Sequence, residues 1–182
     1  MSQSFQIVAT ESLLRSTVFS VERRTVANDR ATFDRDVVTH QGAVAIVAVD
    51  ADGRVGLIRQ YRAPFDRFNL EIPAGTLDVA DENALNAAKR ELLEELGCRA
   101  QRWTLLGRFM VSPGWTDQLM TIYEARELTL VERSPHGPEE ISASVHWLSV
   151  DQVRELLRSP EPVDATTTIG LSRVLGNVLG ND

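Results

Sequence analysis

The chain has 182 residues and a formal net charge of −7, a length suited to one domain or to one domain with an extra subdomain. Lys89 is its only lysine and no basic run offers phosphates a face, which argues against a nucleic-acid partner. Its hydrophobic content of 43% supports a substantial core, yet no stretch approaches the roughly 20 apolar residues of a membrane span. The single cysteine, Cys98, rules out an internal disulfide, and Met1 to Thr10 holds no apolar core, so a cytoplasmic location is expected.

The first third reads as strands. Leu14 to Val26 is rich in Val, Thr and Phe with polar residues interleaved, and Thr32 to His40 is similar. Gly42 to Asp50 is nearly all apolar, the pattern of a strand buried on both faces. Ala51-Asp52-Gly53 is a turn signal, and Arg54 to Tyr61 returns as a strand, which predicts a hairpin. Leu70 to Pro73 is a short extended piece that ends at Ala74-Gly75. Asp81 is the expected cap of a helix running to about Leu96, with Gly97 as its left-handed terminator. Strands are expected over Trp103 to Val111 and Leu119 to Glu127, joined by a loop from Ser112 to Asp117. Ser134 to Glu140, with Pro135, Gly137 and Pro138, reads as a second loop, and Ser144 to Leu148 as a last strand. Val150 to Leu157 and Thr166 to Leu179 read as helices separated by Pro160 and Pro162. No repeat and no clean boundary is visible. The nearest to a division falls close to His40, leaving a strand-rich segment 1–40 and a mixed α/β domain 41–182.

The helix before Gly97 carries unusual charge. At about 100° per residue, Glu91, Glu94 and Glu95 fall within roughly 100° of arc, flanking an apolar stripe of Leu85, Ala88, Leu92 and Leu96. Glu91 repels both other glutamates, at about 0.2–0.5 kcal/mol per pair. Desolvation beside a buried face raises that cost. A pair of glutamates alone is most simply a solvated helix face. A divalent cation would remove the conflict, because hard cations take oxygen ligands.

Gly75, Glu82, Arg90-Glu91-Leu92, Glu94-Glu95 and Gly97 resemble the Nudix box, Gly-x5-Glu-x7-Arg-Glu-U-x-Glu-Glu-x-Gly-U with U aliphatic. Two positions depart from it. Six residues separate Gly75 from Glu82 where the box has five, and Cys98 stands at the final aliphatic position, where a buried Cys acts as a small hydrophobe. Three further segments are similar to the ADP-ribose pyrophosphatase branch. They are Leu57-Ile58-Arg59-Gln60-Tyr61-Arg62 with Glu71-Ile72-Pro73-Ala74-Gly75; Ser112-Pro113-Gly114, whose proline lies 15 residues beyond Cys98; and Pro138-Glu139-Glu140-Ile141 with Val145-His146-Trp147-Leu148. Taken singly each has a plainer reading: Arg62 as a surface charge, Pro113-Gly114 as a turn, Glu139-Glu140 as a solvated loop.

The resemblance implies a Nudix-type α/β/α sandwich with a mixed sheet, preceded by a small strand-rich part that helps form a homodimer. It implies hydrolysis of the diphosphate of ADP-ribose, or of a related nucleoside diphosphate sugar, to AMP and ribose 5-phosphate. The cofactor would be Mg²⁺, with Mn²⁺ as the alternative. Glu91, Glu94, Glu95 and the Ala74 carbonyl would hold the metal, and Arg90 would orient the carboxylates. The general base would be a glutamate beyond the box, Glu139 first and Glu140 next. Substrate contacts fall to Arg62, Glu71, Pro113 and Trp115, with Arg62 on a phosphate. His40, His136 and His146 show no ligand spacing. Two other readings stay open: a Nudix hydrolase of GDP-mannose or a dinucleotide, and a non-catalytic nucleotide sensor, against which the intact glutamate set argues.

Overall fold

The structure, a computed structural model, describes residues 4–135 and 137–176, with 137–139 as backbone. In chain order its strands are β1 (Gln6–Arg15), β2 (Phe19–Ala27), β3 (Thr32–His40), β4 (Ala43–Val49), β5 (Val55–Arg62), β6 (Arg67–Glu71), β7 (Ala74–Thr76), β8 (Cys98–Met110), β9 (Leu119–Leu130) and β10 (Ser144–Leu148). The helices are α1 (Ala84–Leu96), α2 (Gly137–Ser142), α3 (Val150–Arg158) and α4 (Ala165–Leu175).

Strand β4 explains the architecture. All its side chains are buried, and the two-residue strand period sends them alternately to two faces. Ala43, Ala45, Val47 and Val49 pack into one core with Val153 of α3 and Leu171 of α4. Val44, Ile46 and Ala48 pack into the other with Ala87, Ala88, Leu92 and Leu96 of α1. An apolar run with no alternation is thus the signature of a sheet covered on both sides. That sheet runs β10-β5-β4-β9-β8, with β6 paired to β5 and β7 to β4. β4 and β9 are parallel and the other pairings antiparallel, so the sheet is mixed, as expected.

Strands β1, β2 and β3 form a separate antiparallel sheet. It is tied to the main body where the 112–117 loop meets β3: Val38 donates to the Trp115 carbonyl at 2.8 Å, and Asp117 accepts from the His40 amide at 2.9 Å. Phe5, Ile7, Val8, Leu13 and Leu14 on this sheet are exposed.

Several local expectations are corrected. The strand expected over Leu14 to Val26 is two strands, because the chain reverses between Arg15 and Ser20, with Ser16 donating to the Phe19 carbonyl at 2.9 Å. No Gly, Pro or Asn marks that turn, so it left no signal. Gly42 lies outside β4, at φ +95°, a conformation that strains any other residue. The cap of α1 is Asn83, whose side chain accepts from the Asn86 amide at 2.9 Å, and not Asp81, which sits left-handed at φ 61°. Part of the loop expected over Ser134 to Glu140 is α2. β8 begins at Cys98, five residues before Trp103, because its edge pairs with β9 as far as Leu130. The expected end of the last helix, Leu179, and His136 lie outside the described residues.

Candidate active site

Both ends of α1 are pinned, and this sets which way its glutamates point. Asn83 satisfies the first turn. At the other end Gly97 turns left-handed at φ 63°, and its amide bonds the Leu92 and Leu93 carbonyls. A side chain there would meet the Val131 carbonyl at 2.7 Å, so glycine is required for this close approach. With Leu92 and Leu96 turned into the core, Glu91 and Glu95 are carried partly inward and are only 5% and 3% exposed.

Strand β7 lies against them. The Ala74 amide donates to Glu95 Oε2 at 2.9 Å. A methyl on Gly75 would lie 1.9 Å from Glu91 Oε1, so the absent side chain is the space the Glu91 carboxylate fills. Arg90 gathers the rest. Its Nη1 donates to Glu91 Oε1 at 2.6 Å and to Glu94 Oε2 at 3.0 Å, and its Nη2 to Glu82 Oε2 at 3.1 Å. The additional residue between Gly75 and Glu82 is taken up in the loop that includes the left-handed Asp81, so Glu82 still reaches Arg90. Across the cleft, Arg62 is held by Glu71 with Nη2 to Oε2 at 2.6 Å and Nε to Oε1 at 3.1 Å, and Gln60 donates to Glu71 at 3.4 Å.

Gln60, Arg62, Ala74, Arg90 and the three helix glutamates line one cleft of about 710 Å³, together with Glu140 of α2, Asp78 and Val18 from the β1–β2 turn. Its electrostatics are strained. Burial pushes Glu95 up to about 8, against the Ala74 hydrogen bond and with help from Glu91 and Glu140. Burial likewise pushes Glu91 up to about 7, opposed by Arg90 and aided by Glu94. Arg90 is itself desolvated, yet its carboxylate partners hold it well above the usual arginine value. Arg62 is raised by its hydrogen bonds to Glu71.

The donor set fits a hard divalent cation: oxygen donors, two of them buried and desolvated. Among the described residues no three acidic, His or Cys groups already converge on one point; Arg90 stands among the carboxylates instead.

The remaining expected residues fall in several places. Glu71 is 5% exposed and committed to Arg62. Arg62 therefore meets the cleft already oriented, its Nε and Nη2 held by Glu71. Glu140 enters the cleft, whereas the side chain of Glu139 lies outside what is described. Pro113 and Trp115 are brought to neither the acidic cleft nor its neighbour; their loop is drawn onto β3, and Trp115 is 56% exposed. His40 accepts from the Gly42 amide at 3.0 Å, a structural use. The neighbouring cleft, about 430 Å³, shares Arg62 and Ala74 with the first and adds Phe65, Asn69, Gln118 and Met120. Gln60, Asp78 and Val18 were not anticipated. Gln60 lies in a strand whose pattern says only that it is buried, and Val18 reaches the cleft through a turn with no sequence signal.

The NUDIX domain model matches residues 39–167. An ADP-ribose pyrophosphatase of Mycobacterium tuberculosis is 33% identical over 171 residues, covering 93% of this chain and 83% of that protein. One from Bacillus subtilis is 34% identical over 151 residues, covering 83% and 80%. A crystal structure titled as an ADP compounds hydrolase superposes with a TM-score of 0.80 at 26% identity, covering 95% of this chain and 93% of that one.

Proposed function

The chain belongs to the Nudix family and is a pyrophosphohydrolase, and from that premise we propose that it splits ADP-ribose into AMP and ribose 5-phosphate with Mg²⁺. The observation that carries the reading is the convergence of Glu91, Glu94, Glu95 and Glu140 with Arg62 in one cleft. The names of the two relatives, both ADP-ribose pyrophosphatases, support the substrate.

Glu91, Glu94 and Glu95 would hold the cation, with the Ala74 carbonyl as a further donor. When bound, the cation supplies charge neutralisation at the diphosphate and acidifies a water. The chain supplies the rest. Arg90 keeps Glu91 and Glu94 in register, and the Ala74 amide does so for Glu95. Glu71 stiffens Arg62, whose remaining N–H groups are available to a phosphate oxygen. A glutamate of α2 takes the proton as water attacks phosphorus and the bridging P–O bond breaks. Glu140 lines the cleft and is assigned this role, with Glu139 as the alternative. The apolar residues exposed on the N-terminal sheet support a second copy of the chain as its partner.

Chromatographic detection of AMP from a panel of ADP-ribose, other nucleoside diphosphate sugars and a dinucleotide, with Mg²⁺, Mn²⁺ or chelator, tests the reading. ADP-ribose should be turned over best, and only with metal. Preference for GDP-mannose or a dinucleotide would move the substrate, and turnover in chelator would remove the metal. Mass measurement in solution tests the dimer.

A further inference from the structure

Helix α2 has six residues, too few to hold itself in water. It carries Glu140 into the cleft, yet its own last turn has no basic residue to complement the terminal carbonyls. Arg133, which follows β9, supplies that charge from outside. Its Nη1 donates to the Ala143 carbonyl at 3.1 Å and its Nη2 to the Glu140 carbonyl at 3.3 Å. The same side chain is wedged at the end of α1. A methyl on Gly97 would lie 2.8 Å from Arg133 Cγ, and Val131 donates to the Gly97 carbonyl at 2.8 Å. The Arg133 Nε is buried and makes no hydrogen bond among the described residues, a cost that a side chain serving only as a surface charge would not incur.

We infer that Arg133 is a positioning residue: it clamps the end of α2 to the end of α1 and so sets Glu140 against Glu91 and Glu95. The inference rests on the reading of Glu140 as general base. Only Leu96 separates Glu95 from Gly97, so the end of α1 that Arg133 meets lies next to the buried Glu95 in the chain. An arginine suits the task because its fork meets two carbonyls at once, whereas a lysine presents a single point charge.

The test uses the full-length protein with ADP-ribose and Mg²⁺, comparing Arg133→Met, Arg133→Lys, Glu140→Gln and the Arg133→Met/Glu140→Gln double variant. Amide hydrogen exchange over residues 137–143 is followed in parallel. Arg133→Met should speed exchange of those amides about tenfold. It should lower kcat by about ten- to a hundredfold, with KM within about threefold. Arg133→Lys should recover part of both, and it remains readable if the Met variant fails to fold. Arg133→Met should add nothing once Glu140 is Gln. Unchanged exchange overturns the clamp, and an undiminished loss in the Glu140→Gln background overturns its action through Glu140. Wild-type turnover by Glu140→Gln removes the base assignment and the catalytic part of the inference with it, while exchange still decides whether the clamp exists.

Discussion

Gly75→Ala separates the carboxylate cradle from the stability of the fold. A methyl at this position would lie 1.9 Å from Glu91 Oε1 and 2.0 Å from its carboxyl carbon, whereas ordinary contact begins near 3.4 Å. The carboxylate must retreat by about 1.5 Å (3.4 − 1.9). It is the far end of a flexible side chain, and Gly75 is not among the residues at positive φ. Alanine should therefore change stability by about 1 kcal/mol or less. The retreat breaks the 2.6 Å bond to Arg90 and moves Glu91 off its place beside Glu95. Displacement of a reacting geometry by about 1 Å can cost a hundredfold in rate. We expect kcat to fall by about a hundredfold, equivalent to about 2.7 kcal/mol, with a raised Mg²⁺ requirement. The assay is AMP release at saturating ADP-ribose across a Mg²⁺ titration, beside thermal unfolding in chelator. Normal turnover and normal Mg²⁺ activation in a variant that melts like the wild type would refute the reasoning.

Acidity provides a second handle on the same pair. Folding raises Glu91 to about 7 and Glu95 to about 8, from ordinary carboxylate values near 4.5. The folded state then binds the proton more tightly, so this contribution is fully present below pH 4.5, declines as pH rises, and is gone above about pH 8. Metal-free protein should lose on the order of 6 kcal/mol of stability between pH 5 and pH 9, read by denaturant titration, and saturating Mg²⁺ should flatten the slope; a flat metal-free profile contradicts the burial argument. Glu95→Gln should abolish Mg²⁺-dependent turnover, and normal metal activation in that variant would place the cation elsewhere. Glu140→Gln should lower kcat at least about a hundredfold with little change in KM. If Glu139→Gln shows that loss instead, the base is its neighbour.

The helix and its chemistry were legible because they are local. The spacing of Glu91, Glu94 and Glu95 against Leu92 and Leu96 needs only the helical period, and Gly97 announces its own left-handed turn. The fully apolar β4 likewise announced a sheet covered on both faces. What failed locally was punctuation. The β1–β2 turn uses Ser16, Thr17 and Val18, and α2 begins inside a Pro- and Gly-rich stretch that propensity reads as loop. Neither error touched the reaction class, but each hid a cleft residue, Val18 in one case and the setting of Glu140 in the other.

Trp115 marks the limit more sharply. Beside Pro113 it reads as a substrate contact, and the structure adds what no local pattern showed, that β3 hydrogen-bonds its loop. Glu71 and Arg62 are both expected at the substrate, and the structure adds that, nine positions apart, they bond each other at the cleft. Sequence by itself determined that this chain has a helix bearing three carboxylates beside its apolar stripe and a core with two faces, since both follow from periodicity within one element. Tertiary structure alone decided that Glu91 fills the space left by Gly75, that Glu95 is held by the Ala74 amide, and that Arg133 joins two helix ends. Those contacts join residues 7 to 36 positions apart and depend on packing distances of a few ångströms, and no local pattern encodes such distances.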